Sequence, residues 1–465
     1  MPDLKTKQQI VDLARDLATT LQLVQRGPVT YIPAHWDTLD IDTIPPDNEK
    51  VWIPLSHEDK RELGNHKGNI LFYTEGDLRS FNLVISQYAE NFRGRSLNLL
   101  VRTPEGLKVL NSFGLLCEPT GDFVPNYIRP MLNEDPADMQ EVYDVISNWV
   151  GGDEAAESLL YHLATSLAPG YSAVKYIILL GEGRNGKGVL LTMLSSLFGH
   201  ENISSVTRQM MAEHRATVTQ LNDKLINVIF DGEMAYIKDS SAEKTLIAGE
   251  PLDIEMKYEN APTRVQTNAL FIEALNQEPK VRDKSSALQK RLVRFYFPNV
   301  YPIDKAFEKH MHSERMLGAF LALLIKHFVR EDEIPTKLKL TAASVELQLE
   351  QMWITNPILQ FMEHLAGTDM GVLDKLQKGQ VWLDDFLNAF KPWTDNQGMQ
   401  ERSDGDLVAL MKSAFIIGSK TRNKGGKRST QRFIKSLRPE TELVYEQLKG
   451  ANGGTQLREE ELVGD

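Results

Sequence analysis

Apolar residues recur three and four positions apart along several stretches of the chain, the spacing that places them on one face of a helix. Ile10, Leu13, Leu17 and Leu21 do so within residues 4–25, and Gly27-Pro28 stops the pattern. From 137 to 168 the same spacing carries Val142, Ile146, Trp149, Leu159, Leu160, Leu163 and Leu167, with a break at Gly151-Gly152. Helical patterning returns at 316–329, at 338–366 with a break at Pro357, and beyond Gly379 in VWLDDFLNAFKPW and DGDLVALMKSAFI. Between these blocks lie continuous apolar runs of strand length: Tyr176–Leu180, the run opening LINVIFDGEM at Leu225, Asn268–Leu275, and the LVRFYF that follows Arg291. Runs this apolar predict strands covered on both faces. Leu252–Tyr258 instead alternates polar and apolar, and Glu259-Asn260-Ala261-Pro262 predicts the turn of a hairpin carrying Lys257 and Arg264. Residues 31–54, rich in Pro, Asp and Trp, are expected to be mostly irregular, and 69–114 to alternate helical and extended stretches.

Composition narrows the class. At 465 residues the chain has room for about three domains. The lone cysteine, Cys117, excludes an internal disulfide framework and a Cys-rich zinc site; it is expected to be a small buried hydrophobe. No apolar run approaches a membrane span and no signal-like segment opens the chain, so a soluble, cytoplasmic protein is expected. A net charge of −12 argues against coating nucleic acid with the whole surface, so any such contact needs a local basic patch.

The stretch KYIILLGEGRNGKGVLLTMLSSLFG, Lys175–Gly199, has the order strand, glycine-rich loop, amphipathic helix. Gly181, four residues, Gly186 and Lys187 match the P-loop, where backbone amides cradle phosphates and the lysine pairs with the β/γ oxygens. The ATP-binding set is then Gly181, Glu182, Gly183, Arg184, Asn185, Gly186, Lys187, Gly188 and Val189. One part is missing. Gly188 stands where Ser or Thr usually supplies a hydroxyl to Mg²⁺, and Thr192, one turn on, is a weak substitute. LINVIFDGEM ends in carboxylates: Asp231 is assigned to the metal side and Glu233 to the attacking water. Asn276, ending the third apolar run, is placed to meet the γ-phosphate or the water. Asp40-Ile41-Asp42 has a spacing that could hold divalent metal, but an acidic loop before Pro45-Pro46 is the plainer reading.

In order and spacing, GEGRNGKG, LINVIFDGE, IAGEPLDIEMKYENAP, FIEALNQEP and QKRLVRFYFP resemble superfamily 3 helicases, in particular the helicase half of phage and poxvirus primase-helicases. The resemblance spans roughly 137–300. It implies ATP and Mg²⁺ as cofactors, Lys187, Glu233 and Asn276 as catalytic residues with Asn276 the sensor, and a homo-oligomeric ring, a hexamer in most such proteins. It further implies an arginine entering from the neighbouring subunit, Arg291 with Arg294 as runner-up, and a central DNA-binding hairpin bearing Lys257.

Toward the C-terminus, two amphipathic helices precede KTRNKGGKRSTQRFIKSLR, which resembles the winged-helix domain this family often carries. Lys424, Lys427 and Arg428 around its glycine turn are the DNA-binding candidates there; a solvated basic loop is the alternative.

The expected fold is an α/β P-loop ATPase core of AAA+-like type, with an α-helical N-terminal region and a C-terminal winged-helix-like domain. Its expected divisions are an N-terminal α+β region without an assigned role over 1–136, the ATPase domain with a helical collar over 137–330, the winged-helix-like domain over 336–450 and an acidic tail over 451–465. The expected function is an ATP-dependent DNA helicase acting in phage or viral replication on single-stranded or forked DNA, with a separate primase or polymerase as a further partner. A primase-helicase in one chain, and a DNA-binding initiator with a degenerate nucleotide site, are the alternatives.

Overall fold

The first apolar stripe forms helix α1, Lys7–Thr20, which buries Ile10, Ala14, Leu17 and Leu21. The structure is a computed structural model and describes residues 7–26, 29–35, 44–46, 49–68, 75–91, 98–168, 176–232, 241–255, 262–276, 291–344, 347, 356–397, 407, 410–412, 414–424, 427–438 and 441. The chain divides into two compact units, one of residues 1–233, 241–277 and 295–341, the other of 234–240, 278–294 and 342–465.

In the first unit α1 packs on α3, Glu75–Tyr88, and α2, His57–Gly68, through Leu63, Phe81 and Ile85. Beneath them strands β1 (Val24–Arg26), β2 (Val29–His35), β3 (Lys50–Leu55) and β4 (Glu90–Asn91) form a sheet in the order β3-β2-β1-β4. A second sheet, β7-β6-β5-β8, uses β5 (Leu99–Thr103), β6 (Gly106–Leu110), β7 (Leu116–Cys117) and β8 (Tyr127–Ile128). The N-terminal region thus holds two sheets beside its helices, which corrects the α-helical description of it while the division over 1–136 was expected to be α+β.

Two expectations fall here. Residues 31–54, expected to be mostly irregular, include most of two paired strands, β2 and β3, with Ile32 opposite Ile53. Pro33 obscured the pattern: it stands opposite Trp52 of β3, while on its other side the β1–β2 pairing extends only as far as Tyr31. Cys117 is exposed rather than buried, because β7 is an edge strand; its sulfur accepts from Asn111 Nδ2 at 3.4 Å.

Helices α4 (Pro136–Val150) and α5 (Asp153–Ala164) meet at Gly151, whose φ of 81° ends α4 in the left-handed region. Asp135 caps α4 by accepting from the amides of Ala137 and Asp138. Then come β9 (Tyr176–Leu180), α6 (Lys187–Phe198), β10 (Ile203–Ser204), α7 (Arg208–Glu213), β11 (Ile226–Ile229), α8 (Ser241–Ile247), the antiparallel pair β12 (Leu252–Ile254) and β13 (Thr263–Val265), β14 (Leu270–Leu275), β15 (Leu292–Tyr296), α9 (Lys305–Met311) and α10 (Glu314–Lys326). The four apolar runs of the sequence are β9, β11, β14 and β15. With β10 they make a five-stranded sheet in the order β10-β11-β14-β9-β15, with parallel ladders from β10 through β9. Parallel strands need both faces covered, which is why β9 and β14 are buried along their whole length. The fold is mixed α/β, consistent with a P-loop ATPase core.

In the second unit α11 (Pro357–Thr368), α12 (Met370–Gln377) and α13 (Leu383–Asn396) pack on a three-stranded antiparallel sheet, ordered β16 (Val381–Trp382), β18 (Lys427–Leu437), β17 (Phe415–Lys424). Its core joins Phe361, Phe386, Phe390, Phe415 and Ile434. Pro357 opens a helix, at a position where the missing amide has no intrahelical partner to lose. Among the described residues no helix is long and apolar enough to cross a membrane.

Candidate functional site

Strand β9 ends where the chain must reverse into α6, and the reversal uses positive φ at Gly181 (147°), Arg184 (65°) and Gly186 (94°). Two are glycines, which adopt such angles without strain; Arg184 is held there at a cost, as happens at ligand-binding turns. A Cβ on Gly186 would sit 2.6 Å from the Trp149 ring, and one on Gly181 would sit 2.7 Å from the Phe297 carbonyl oxygen. The loop is thus wedged between α4 and the segment after β15. Asn185, 2 % exposed, donates from Nδ2 to that same carbonyl at 3.4 Å, and the Tyr301 amide donates to the Arg184 carbonyl at 2.7 Å.

Helix α6 starts at Lys187 behind Gly186, with no side chain capping it, so its first-turn amides are open toward the loop. Open amides and the positive end of the helix dipole suit an anion. Lys187 is 6 % exposed; its Nζ donates to the Gly181 carbonyl, to the Glu182 carbonyl at 3.1 Å and to Asn185 Oδ1 at 3.1 Å. Burial pushes the pKa of this ammonium below its ordinary value, and the charge of Asp231 acts the other way. Glu182, Gly183, Arg184 and Gly188 are exposed, and Val189 is half-buried.

Gly188 does not owe its missing side chain to crowding, since a Cβ there would meet nothing within 4 Å. Thr192 does not replace it in this arrangement: its hydroxyl donates to the Gly188 carbonyl at 2.9 Å, back along the helix.

The acidic strand joins the loop through topology. β14 lies between β9 and β11, with Leu180 opposite Leu275 and Ile229 opposite Glu273. The residues that follow these strands, Gly181, Asn276 and Asp231, therefore line one edge of the sheet, the edge where parallel α/β sheets bind ligands. The Gly232 amide donates to the Ala274 carbonyl at 3.1 Å and fixes the acidic turn against β14. Asp231 and Asn276 are both exposed there.

Other candidates fare differently. Arg291 is half-buried in the turn before β15. Arg294, inside that strand, is 1 % exposed, and a side chain so enclosed cannot reach into a neighbouring subunit, so the runner-up assignment is withdrawn. Arg264 forms an exposed ion pair with Asp253 at 2.8 Å across β12 and β13. Glu233, Lys257, Asp40, Asp42 and the 451–465 tail lie outside the described residues. Lys424 stands opposite Lys427 at the far end of the β17–β18 hairpin, and Arg428 opposite Asn423, one register step away.

The residues that fasten the loop, Trp149, Asn185, Phe297 and Tyr301, were not singled out from the sequence as partners. Only the apolar stripe of α4 marked Trp149 at all, and it marked it as core.

Residues 179–291 match a family of unknown function, DUF5906. Two solved apo structures of the NrS-1 C terminal region, one of them its A form, are similar in structure at a TM-score of 0.45 and 13% sequence identity. The match covers 92% of this chain and 98% or 99% of the other. Likeness at that level leaves the site to be read from this chain's own geometry.

That geometry suits a nucleoside triphosphate. The open α6 amides and the left-handed loop would face the phosphates, and Lys187 would exchange loop carbonyls for phosphate oxygens. Among the described residues no cluster of three or more His, Cys, Asp or Glu side chains could hold a metal by itself. Asp231 is the described carboxylate at this edge that could help to hold Mg²⁺ beside a bound phosphate.

Proposed function

We propose that the protein is an NTP hydrolase of P-loop type that works on DNA as a replicative helicase of the superfamily 3 kind. The observation that carries the reading is a buried lysine, Lys187, opening an uncapped helix behind a loop with left-handed backbone, at the sheet edge that also carries Asp231. With ATP bound, Lys187 and the α6 amides balance the phosphate charge, Asp231 orients the metal or its waters, and Asn276 meets the terminal phosphate or the attacking water. Mg²⁺, when bound, neutralises charge on the β- and γ-oxygens. Glu233 is assigned to the attacking water, Arg291 to a neighbouring subunit's site in a ring, and Lys257 to a single strand of DNA.

The three-stranded sheet with α11, α12 and α13 is read as a winged-helix-like DNA-binding domain, its long hairpin being the wing that meets phosphates through Lys424, Lys427 and Arg428. The phosphate contacts would supply affinity with little sequence information.

The test is ATP hydrolysis by wild type and Lys187→Ala, with and without single-stranded DNA, followed by unwinding of a forked duplex and measurement of particle size. DNA-stimulated hydrolysis lost in Lys187→Ala supports the reading. Gly188 and the engaged Thr192 hydroxyl favour one rival, a DNA-binding protein whose nucleotide site is degenerate. Binding of DNA without hydrolysis in Mg²⁺ or Mn²⁺ would establish the rival instead.

A further inference from the structure

Below the nucleotide edge, four polar side chains lie in the core between the sheet and the helices α7 and α8. Tyr176, the first residue of β9, is fully buried, stacks on Phe271 with centroids 5.5 Å apart and donates its hydroxyl to Glu273 Oε2 at 3.1 Å. Glu273, 2 % exposed, sits mid-strand in β14. Arg208 of α7 and Glu243 of α8, 3 % and 1 % exposed, pair at 2.7 Å, and the Arg208 guanidinium lies 5.7 Å from the Tyr176 ring centroid. Burial opposes the charge on Arg208, but Glu243, Tyr176 and Glu273 outweigh it and hold its pKa above the ordinary value. Burial, with Glu273 beside it, raises the Tyr176 pKa far enough to keep the phenol a neutral donor.

Such a group is costly to bury unless its geometry is useful. Its upper end meets the site. A Cβ placed on Gly232 would fall 2.1 Å from Glu273 Oε1, so the Glu273 carboxylate occupies the room a side chain would need beside Asp231. Its lower end holds α8, and α8 holds the β12–β13 pair: the Gly249 and Glu250 amides close the end of α8 on Leu246 and Thr245, and Gln266 Nε2 donates to the Gly249 carbonyl at 2.8 Å. The Arg208–Glu243 pair is joined by one hydrogen bond, while Arg208 Nη2 and Glu243 Oε2 have no partner among the described residues. A pair with an idle donor and an idle acceptor has a second, bidentate arrangement available to it.

We propose that Tyr176, Arg208, Glu243 and Glu273 form a positioning network that ties the acidic turn at Asp231-Gly232 to α8 and the β12–β13 hairpin, and so couples hydrolysis to the hairpin's position. This rests on the hydrolysis reading above. None of the four touches the nucleotide; they act through the Gly232 backbone and through α8.

The experiment measures ATP kcat and KM, nucleotide affinity, DNA stimulation and melting temperature for the full chain and for Glu273→Gln, Tyr176→Phe and Glu243→Gln. Glu273→Gln is expected to lose about tenfold or more in kcat, with KM and nucleotide affinity within about twofold of wild type. Tyr176→Phe should show the same split at about threefold, and Glu243→Gln should lower the ratio of DNA-stimulated to basal rate by a similar factor. A structural role alone would lower the melting temperature and leave these ratios unchanged. Wild-type kcat and DNA stimulation in Tyr176→Phe and Glu243→Gln would overturn the proposal, even if Glu273→Gln failed to fold, while leaving the hydrolysis reading intact. A wild-type protein that hydrolyses no ATP removes that reading and the proposal with it.

Discussion

The phosphate loop and the β17–β18 hairpin are both basic and glycine-bearing, yet they are built in opposite ways. The loop hangs on a strand buried end to end, and its one lysine is enclosed by three oxygens of its own loop. The hairpin runs ten and eleven residues, with buried Phe415, Ile434 and Leu437 confined to its base. Beyond Phe433, whose ring carries the Lys420 ammonium at 5.1 Å, its residues are polar. A charge locked in place can discriminate between a ground state and a transition state. A charge on an extended ribbon can only add affinity, in proportion to how many phosphates it meets.

If that contrast is right, single changes at the loop act steeply and changes on the hairpin act in increments. Lys187→Ala is expected to lower ATP turnover by about 10²–10³-fold, read as phosphate release, because it removes a preorganised charge at the reacting phosphates. Turnover within a few-fold of wild type would dissolve the comparison. Next in size is Gly186→Ala: a side chain at φ 94° that also strikes Trp149 is expected to cost about 1–3 kcal/mol, read as a lower midpoint in urea, along with weaker nucleotide binding. Replacing Lys424, Lys427 and Arg428 together by Ala should reduce the slope of log affinity against log salt for single-stranded DNA by about 2, at about 0.7 per phosphate contact. An unchanged slope would make the hairpin a solvated ribbon.

Two smaller effects sharpen the picture inside the first unit. Gly188→Ser finds empty space on a helix and should stabilise by about 0.5–1 kcal/mol while tightening Mg²⁺ dependence of hydrolysis; if Mg²⁺ dependence stays as in wild type, the missing hydroxyl is irrelevant to the metal. Asp138 of α4 accepts from Arg315 and Asn133, and these hydrogen bonds hold its carboxyl below the usual carboxylate range. A depressed carboxylate stabilises the fold above the unfolded pKa, near 4, and that contribution disappears as pH falls through the folded value. Asp138→Asn should therefore melt below wild type at neutral pH, and the gap should close in acid. A gap that persists unchanged would show that the Arg315 pair contributes nothing through charge.

Much of this was legible one residue at a time. The strand-loop-helix order at Tyr176–Phe198 follows from a β-branched apolar run, glycines where φ is positive, and a leucine-rich helix; each signal is local, and the structure repeats them. The break at Gly151 was readable for the same reason. Strands β2 and β3 were hidden because Pro33 interrupts the strand pattern, and whether a strand tolerates a proline depends on which neighbours pair beside it, a fact about the sheet and not about the segment. Cys117 was misjudged because residue type speaks for burial on average, whereas an edge strand exposes whatever it carries. Arg294 looked available beside Arg291, and only packing shows that it is enclosed.

By itself, then, the order of residues determined the α/β class of the core, the glycine-bearing loop between strand and helix with its lysine, and the absent hydroxyl at Gly188, because dihedral preference and apolar period act over a few neighbours. The tertiary structure alone decided that β14 enters between β9 and β11, which brings Asp231 and Asn276 to the edge where Lys187 waits. It alone decided that Glu273, an acid in the middle of an apolar strand, has Tyr176 as a partner 97 residues earlier in the chain. The physical reason is one of range. Strand order and buried polar pairing are settled by which faces can be covered and which charges can be satisfied once the whole sheet has assembled, and no short window of sequence contains that information.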